Sequence, residues 1–189
     1  PWSPGVNHYN LGDGPLPNLR HRPGDDRSTD TDRIFSLYKT SSGDIYVGPS
    51  DGLNRYDRQR RTFLRLPEAR GLVRDMKEDD YGNLWLASLT AGAKRMKMET
   101  GEWMHYDTLK HRINPIMGQK LASVYIDSHK NLIFGSQGSG IFIYDYQTDN
   151  FRNISQANGL PNNVIYGALD DQFGNLWLSS NVGIICLRP

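Results

Sequence analysis

The sequence predicts an all-β chain: a β-propeller segment of about four blades, each of four antiparallel strands. Three observations predict it. A strand-and-turn unit starts at residues 39, 78, 126 and 170, at spacings of 39, 48 and 44, and strand repeats of about 40–50 residues mark propeller blades. The composition, 11% aromatic with 19 glycines, favours strands and tight turns over helices. The middle strand of the unit is apolar on both faces, as in Leu84-Trp85-Leu86 and Leu176-Trp177-Leu178. A strand with one wet face alternates apolar and polar residues, so this sheet must be covered on both sides, as stacked blades are.

The elements follow in order within each repeat. EDDYGNLWLAS at 78–88 returns as DDQFGNLWLSS at 170–180, with looser copies KTSSGDIYVGP at 39–49 and IDSHKNLIFGS at 126–136. First strands are IFSLYK, LVRDMKE, SVYID and VIYGALD. Each ends in a polar turn carrying Gly or Lys before Asp or Asn, and Gly there suits a hairpin because φ > 0 costs it nothing. Second strands are DIYVG, NLWLAS, NLIFGS and NLWLSS; third strands are GLNRYD, GAKRMKM, GIFIYD and GIICLR. Fourth strands, TFLRL, EWMHYD and NFRNI, carry the aromatics. Blades are thus expected near 32–66, 72–107, 121–155 and 160–189, within one propeller segment spanning 1–189. Residues 1–11, with HYN at 8–10 resembling HYD at 105–107, read as the outer strand of a preceding or closing blade.

Bulk properties exclude several classes. Lys+Arg total 22 against 21 Asp+Glu, a net charge of +1, so nothing points to nucleic acid or an anionic membrane. No apolar run is long enough for a transmembrane helix. The chain opens PWSPG, without Met or a basic leader, and reads as a processed or excised piece. Cys186, the one cysteine, lies in the apolar run GIICL and reads as a small core residue.

The motifs GLNRYD at 52–57, EDDYGNLWLAS at 78–88 and NGLPNNVIYGALDDQFGNLWLSSNVG at 158–183 resemble the two-component regulator propeller repeats. These form the periplasmic sensor domain of hybrid two-component systems of Bacteroidetes. The resemblance runs from about residue 32 onward; Pro49 and Phe134-Gly135 depart from the usual pattern. It implies a slice of a larger, seven-bladed propeller in the extracytoplasmic, periplasmic part of an inner-membrane histidine kinase. It further implies a carbohydrate ligand (an oligosaccharide), a homodimeric full-length sensor, and either the remaining blades or a second chain against this segment. No cofactor is expected, and the segment itself is expected not to be an enzyme. Two rival readings are a lyase or glycosidase on a propeller scaffold, and a structural or assembly propeller with no small-molecule ligand.

Candidate chemistry in the residues is sparse. Two of the three acid pairs, Asp79-Asp80 and Asp170-Asp171, fall at the same repeat turn, as turn residues do; a glycosidase pair need not respect the repeat. The histidines, His8, His21, His105, His111 and His129, show no metal-ligand spacing, so no metal is expected. GSQGSG at 135–140 joins two strands without the Lys-Ser/Thr and helix of a phosphate loop. DRQRR at 57–61 reads as a solvated hairpin tip. Irregular stretches at 10–32 and 107–119 connect blades, and function on a rigid scaffold collects on such loops. For the implied sugar ligand, the loop face supplies Arg74, Ser88, Thr90, His111, Arg112, Asn114, Gln137, Asn163, Ser180 and Asn181. Arg74, near the start of an inner strand, leads this set; the alternative for it is a buried arginine paired with an acid.

Overall fold

The structure, a computed structural model, describes residues 6–7, 18–106, 116 and 118–188. The described residues hold strands and short 3-10 turns, with no α-helix. They form two compact units, residues 1–73 and 74–189.

In the first unit, β1 (Val6–Asn7) pairs antiparallel with β2 (Asn18–Leu19). Of residues 1–11, expected as an outer strand, only 6–7 are among the described residues. The strands β3 (Ile34–Lys39), β4 (Ile45–Pro49), β5 (Leu53–Asp57) and β6 (Thr62–Leu66) form one four-stranded antiparallel sheet in chain order. The described part of the first irregular stretch is folded tightly on itself. Ser28 is buried, and its hydroxyl accepts from the Arg22 amide at 2.9 Å and donates to the Asp25 carbonyl at 2.9 Å. The Phe63 amide of β6 donates to the Arg27 carbonyl at 2.7 Å, and Asp30 accepts from Asn54 Nδ2 at 3.0 Å and pairs with Arg65 Nε at 2.6 Å. The segment thus covers the outer edge of this sheet, a place where an unpaired strand would otherwise present bare amides.

The second unit holds three sheets. In chain order, β7 (Val73–Glu78), β8 (Asn83–Ser88), β9 (Gly92–Lys97) and β10 (Trp103–His105) form the first. The second comprises β11 (Leu121–Ile126), β12 (Leu132–Ser136), β13 (Ile141–Asp145) and β14 (Asn150–Ile154). The third has three strands, β15 (Ile165–Asp170), β16 (Leu176–Ser180) and β17 (Gly183–Leu187). Every expected strand from residue 32 onward lies within a residue or two of its place, and the all-β propeller plan of meandering antiparallel sheets holds.

One local feature recurs where the innermost strand meets its neighbour. The register slips between Ile34 and Ser36, between Leu121 and Ser123, and between Ile165 and Gly167. The skipped residues, Phe35, Ala122 and Tyr166, sit on a bulge, which bends the strand and re-aims one side chain. The small residue that follows permits close packing. A Cβ on Gly135 would lie 2.5 Å from Ser123 Oγ and 3.0 Å from the Ile165 carbonyl oxygen of the next sheet, so only Gly lets the two sheets approach there.

The centre of the second unit is Trp85. It is fully buried, stacked on Tyr106 at 5.6 Å between ring centroids and met edge-on by Tyr144 at 4.6 Å and Phe134 at 6.0 Å. Burying such a side chain stabilises the fold by about 2–3 kcal/mol, and tilted aromatic pairs add about 0.5–1.5 kcal/mol each. A polar clasp closes the outer end of this cluster. Tyr106 donates to Asp149 at 2.6 Å, Tyr144 donates to the same carboxylate, and Arg95 Nη1 donates to the Tyr144 hydroxyl at 2.8 Å. Burial, then the Asp149 carboxylate, pushes the Tyr144 hydroxyl up to about 12, and the same causes in the same order raise Tyr106.

The third sheet of this unit is covered on one face. Ile165, Leu178 and Ile185 pack with Ile133 and Ile141 of the preceding sheet. On the other face, Leu169, Trp177 and Cys186 share one cross-strand row and Gly167, Ser179 and Ile184 the next. Leu169 is 55% exposed, Trp177 37% and Ile184 76%. Cys186 is exposed as well, which corrects the expectation of a core cysteine. Its strand is apolar on both faces, but only one of the two is covered among the described residues.

Candidate functional site

The acid repeated at the first turn of three of the four repeats, Asp79, Asp127 and Asp171, is an architectural acceptor. Asp79 is buried and accepts from the Tyr81 and Asn83 amides at 2.9 Å each, from Asn83 Nδ2 at 2.9 Å and from Trp85 Nε1 at 2.7 Å. Asp171 repeats the pattern with Phe173, Asn175 and Trp177. Asp127 holds Asn131, and Ile133 stands at the position of Trp85 and Trp177, so no indole reaches it. In the first unit Thr40 takes the acid's place and accepts from the Asp44 amide at 3.0 Å. One carboxylate thus ties the hairpin turn to the indole of the middle strand. The bonds from Asn175 and then Trp177 hold the Asp171 carboxyl at about 2, below the usual carboxylate range. Asp170, bound by Ser128 and then Tyr125 across the sheet interface, also lies at about 2. The third pair is placed locally: Asp25 accepts from the Arg27 amide, and Asp26 lies 3.8 Å from Arg65.

The remaining candidates gather at the opposite end of the sheets, where the innermost strands begin. The turn between β12 and β13 and the connection into β15 are joined there. Gly138 and Gly140 donate to the Asn163 carbonyl at 3.1 and 2.8 Å, and Gln137 forms a bridge with Val164. Gln137 is exposed and Asn163 half-buried, its side-chain oxygen accepting from the Gln156 amide at 2.7 Å. Asn181, in the exposed turn between β16 and β17, accepts from the Tyr166 hydroxyl at 2.5 Å. Thr90 is exposed in the turn between β8 and β9. Arg74 is exposed on β7.

Ser88 and Ser180 are turn formers. Ser88 is fully buried and its oxygen accepts from the Thr90 and Ala91 amides at 3.3 and 3.1 Å. The Ser180 hydroxyl donates to the Gly183 carbonyl at 2.9 Å and accepts from the Val182 amide. Ser136 does the same in the repeat between them, with Gly140 and Ser139, so GSQGSG is a hairpin turn. His111, Arg112 and Asn114 lie outside the described residues. Among the described residues no group of three His, Cys, Asp or Glu is placed to hold a metal.

Four residues at this end escaped the reading of the sequence: Tyr166, Gln119, Ser139 and Asp75. Tyr166 is presented by the bulge between Ile165 and Gly167, and its signal was the apolar-x-small pattern shared by IFS, LAS and IYG. Arg74 occupies the corresponding sequence position in β7. Gln119 and Ser139 are hydrogen-bonded to one another beside Gln137. Asp75 stands where the other repeats have Ser36, Ser123 or Gly167, and it breaks the repeat with a charge. Its carboxylate accepts from the Val124 amide at 3.0 Å and the Met76 amide at 2.9 Å, while burial raises its pKa. Asp75 therefore ties β7 to β11 next to the candidate face.

Comparison with known proteins adds context to this geometry. Residues 159–182 match the family model of the two component regulator propeller. The chain is 27% identical over 164 residues to Histidine kinase P4 of Formosa agariphila, covering 80% of this chain and 12% of that protein. It superposes with a TM-score of 0.81, at 23% identity, on the extracellular domain of a candidate one component system from B. thetaiotaomicron, over 98% of this chain and 25% of that one. A second B. thetaiotaomicron extracellular domain, of a candidate hybrid two component system, superposes with a TM-score of 0.75 at 17% identity, over 98% and 24% of the two chains. The chain therefore spans about an eighth of the curated relative it matches and about a quarter of these structures. The match at residues 159–182 is to a two component regulator propeller repeat, and the sheets around it have a propeller fold like that of these extracellular domains.

Proposed function

We propose that this chain is part of an extracytoplasmic ligand-binding propeller, the sensor of a hybrid two-component histidine kinase, and that it recognises an oligosaccharide. The observation that carries the reading is the regulator propeller repeat at residues 159–182, set in a chain whose sheets follow the same plan. Arg74, Thr90, Gln137, Asn163, Tyr166 and Asn181, at the end where the innermost strands begin, form the binding face; they are planar or polar groups of the kind that hydrogen-bond sugar hydroxyls. The repeat-equivalent acids serve turns, which supports a binding role over a glycosidase pair. Residues 1–189 act as one propeller segment in a periplasmic, homodimeric protein. Ligand binding shifts that dimer between two arrangements and so controls the kinase.

Thermal-shift titration of the protein carrying this chain, against a panel of glycan oligosaccharides, tests this. The expected outcome is a saturable rise in melting temperature with one oligosaccharide, since a ligand bound only to the native state stabilises it by mass action. Arg74→Ala and Asn181→Ala should each reduce that rise at unchanged unliganded stability. Silence across the panel from folded protein, or a shift indifferent to both substitutions, overturns the proposal or its placement respectively.

A further inference from the structure

A second feature lies in the first unit, whereas the face described above belongs to the second. The folded segment 20–28 rests against the tip of the hairpin between β5 and β6, and together they enclose an open cleft of about 250 Å³. Five arginines line it: Arg20, Arg22 and Arg27 from the segment, Arg60 and Arg61 from the hairpin tip. The chain's net charge is only +1, so this is a local concentration and not a reflection of composition. Two of the five are answered by acids: Arg27 Nε lies 3.6 Å from Asp25 and Arg60 Nη1 3.1 Å from Asp57. Among the described residues no carboxylate lies within ion-pair distance of Arg20, Arg22 or Arg61.

The cleft is held in shape without a ligand. The Asp25 amide donates to the Arg22 carbonyl and the Ser28 amide to the Asp25 carbonyl, each at 3.0 Å, while the Arg22 amide is tied to the buried Ser28 hydroxyl. The Phe63 amide locks this loop to β6 through the Arg27 carbonyl at 2.7 Å. Arg61 itself has a φ of 55°, the left-handed position that Gly101 and Asp149 also take at the end of the equivalent hairpin loops. Like charges crowded on a prefolded frame repel one another unless an anion sits among them, and guanidinium forks match the oxygens of sulfate, phosphate and carboxylate groups. A volume of this size admits a tetrahedral oxyanion with ordered waters, each of which takes about 30 Å³.

The geometry points to an anion-binding site in this cleft, with Arg20, Arg22 and Arg61 as its ligating cations and a multiply charged oxyanion as its ligand. That oxyanion is either free in solution or carried as an ester on a sugar. The site is separate from the proposed oligosaccharide face and stands without it.

Calorimetric titration of the full chain at low ionic strength tests it, with inorganic pyrophosphate and a sulfated disaccharide as separate probes. Saturable binding of at least one probe is expected; tighter binding of the disaccharide identifies the sugar-borne source, and binding of pyrophosphate alone the free one. Arg61→Gly is the informative variant, because it removes the guanidinium while giving the left-handed position to the residue that favours it. It should leave the melting temperature unchanged or raised, yet weaken binding by roughly tenfold, the loss of one charge-assisted contact. Arg22→Ala should weaken it similarly, whereas Arg152→Ala, an exposed arginine on β14 that removes the same charge, should change it by less than about twofold. No saturable binding of either probe, or equal losses from Arg61→Gly and Arg152→Ala, overturns the site.

Discussion

At the scale of single residues, the fold depends on a few carboxylates that each serve several donors. Asp171 accepts four hydrogen bonds and its pKa is held at about 2. A folded-state pKa depressed below the unfolded value means stability that is present above about pH 4 and lost as pH falls through the folded value. Asp170 acts in the same sense. Melting temperature should therefore fall between about pH 4 and pH 2, and Asp171→Asn should flatten part of that fall. Asp75 has the opposite sign, because burial raises it; acidification relieves its desolvation instead. Asp149→Ala removes the acceptor shared by Tyr106 and Tyr144. A cost of about 1–3 kcal/mol is expected from stranded hydroxyls, measurable by urea unfolding. These roles were only half legible. The recurrence of Asp79 and Asp171 marked them as turn residues, but nothing in the spacing showed that the same oxygen reaches the indole of Trp85 or Trp177.

At the scale of strands and turns, the period of the repeat was enough to place nearly every element. Alternate-residue geometry then predicted that both faces of LWL are covered, and for Leu84, Trp85 and Leu86 they are. For Trp177 only one face of the sheet is covered, so the two tryptophans should respond differently. Trp85→Ala should cost about 3–5 kcal/mol, while Trp177→Ala in this chain should cost well under half as much; equal losses would contradict the packing. Gly135→Ala should destabilise despite being a small change, because its Cβ would sit 2.5 Å from Ser123 Oγ. The bulges were not legible as such, since skipping one residue leaves the apolar pattern on either side intact. They nonetheless decide which side chain, such as Tyr166, reaches the loop face.

At the scale of the whole chain, protection should follow coverage. Native-state hydrogen exchange is expected to show the slowest amides in β8 and β12, whose residues are buried throughout, and faster exchange in β15–β17. The open face of Leu169, Trp177 and Ile184 has the counterpart Trp85 in an earlier sheet, and Trp85 is covered by the aromatics of the sheet that follows it.

The sequence by itself determined the all-β class, the order of the strands and the turn chemistry, because these depend on periods of two and of about forty residues. It also carried the family resemblance in the repeat at 158–183. Only the tertiary structure decided that Cys186 is exposed, that Ser88 is buried in its own turn, and that Asp75 joins two inner strands. It alone brought Arg61 to one cleft with Arg20 and Arg22, which lie about forty residues earlier in the chain. Such facts depend on which surfaces meet across long sequence separations, and a local pattern carries no information about that.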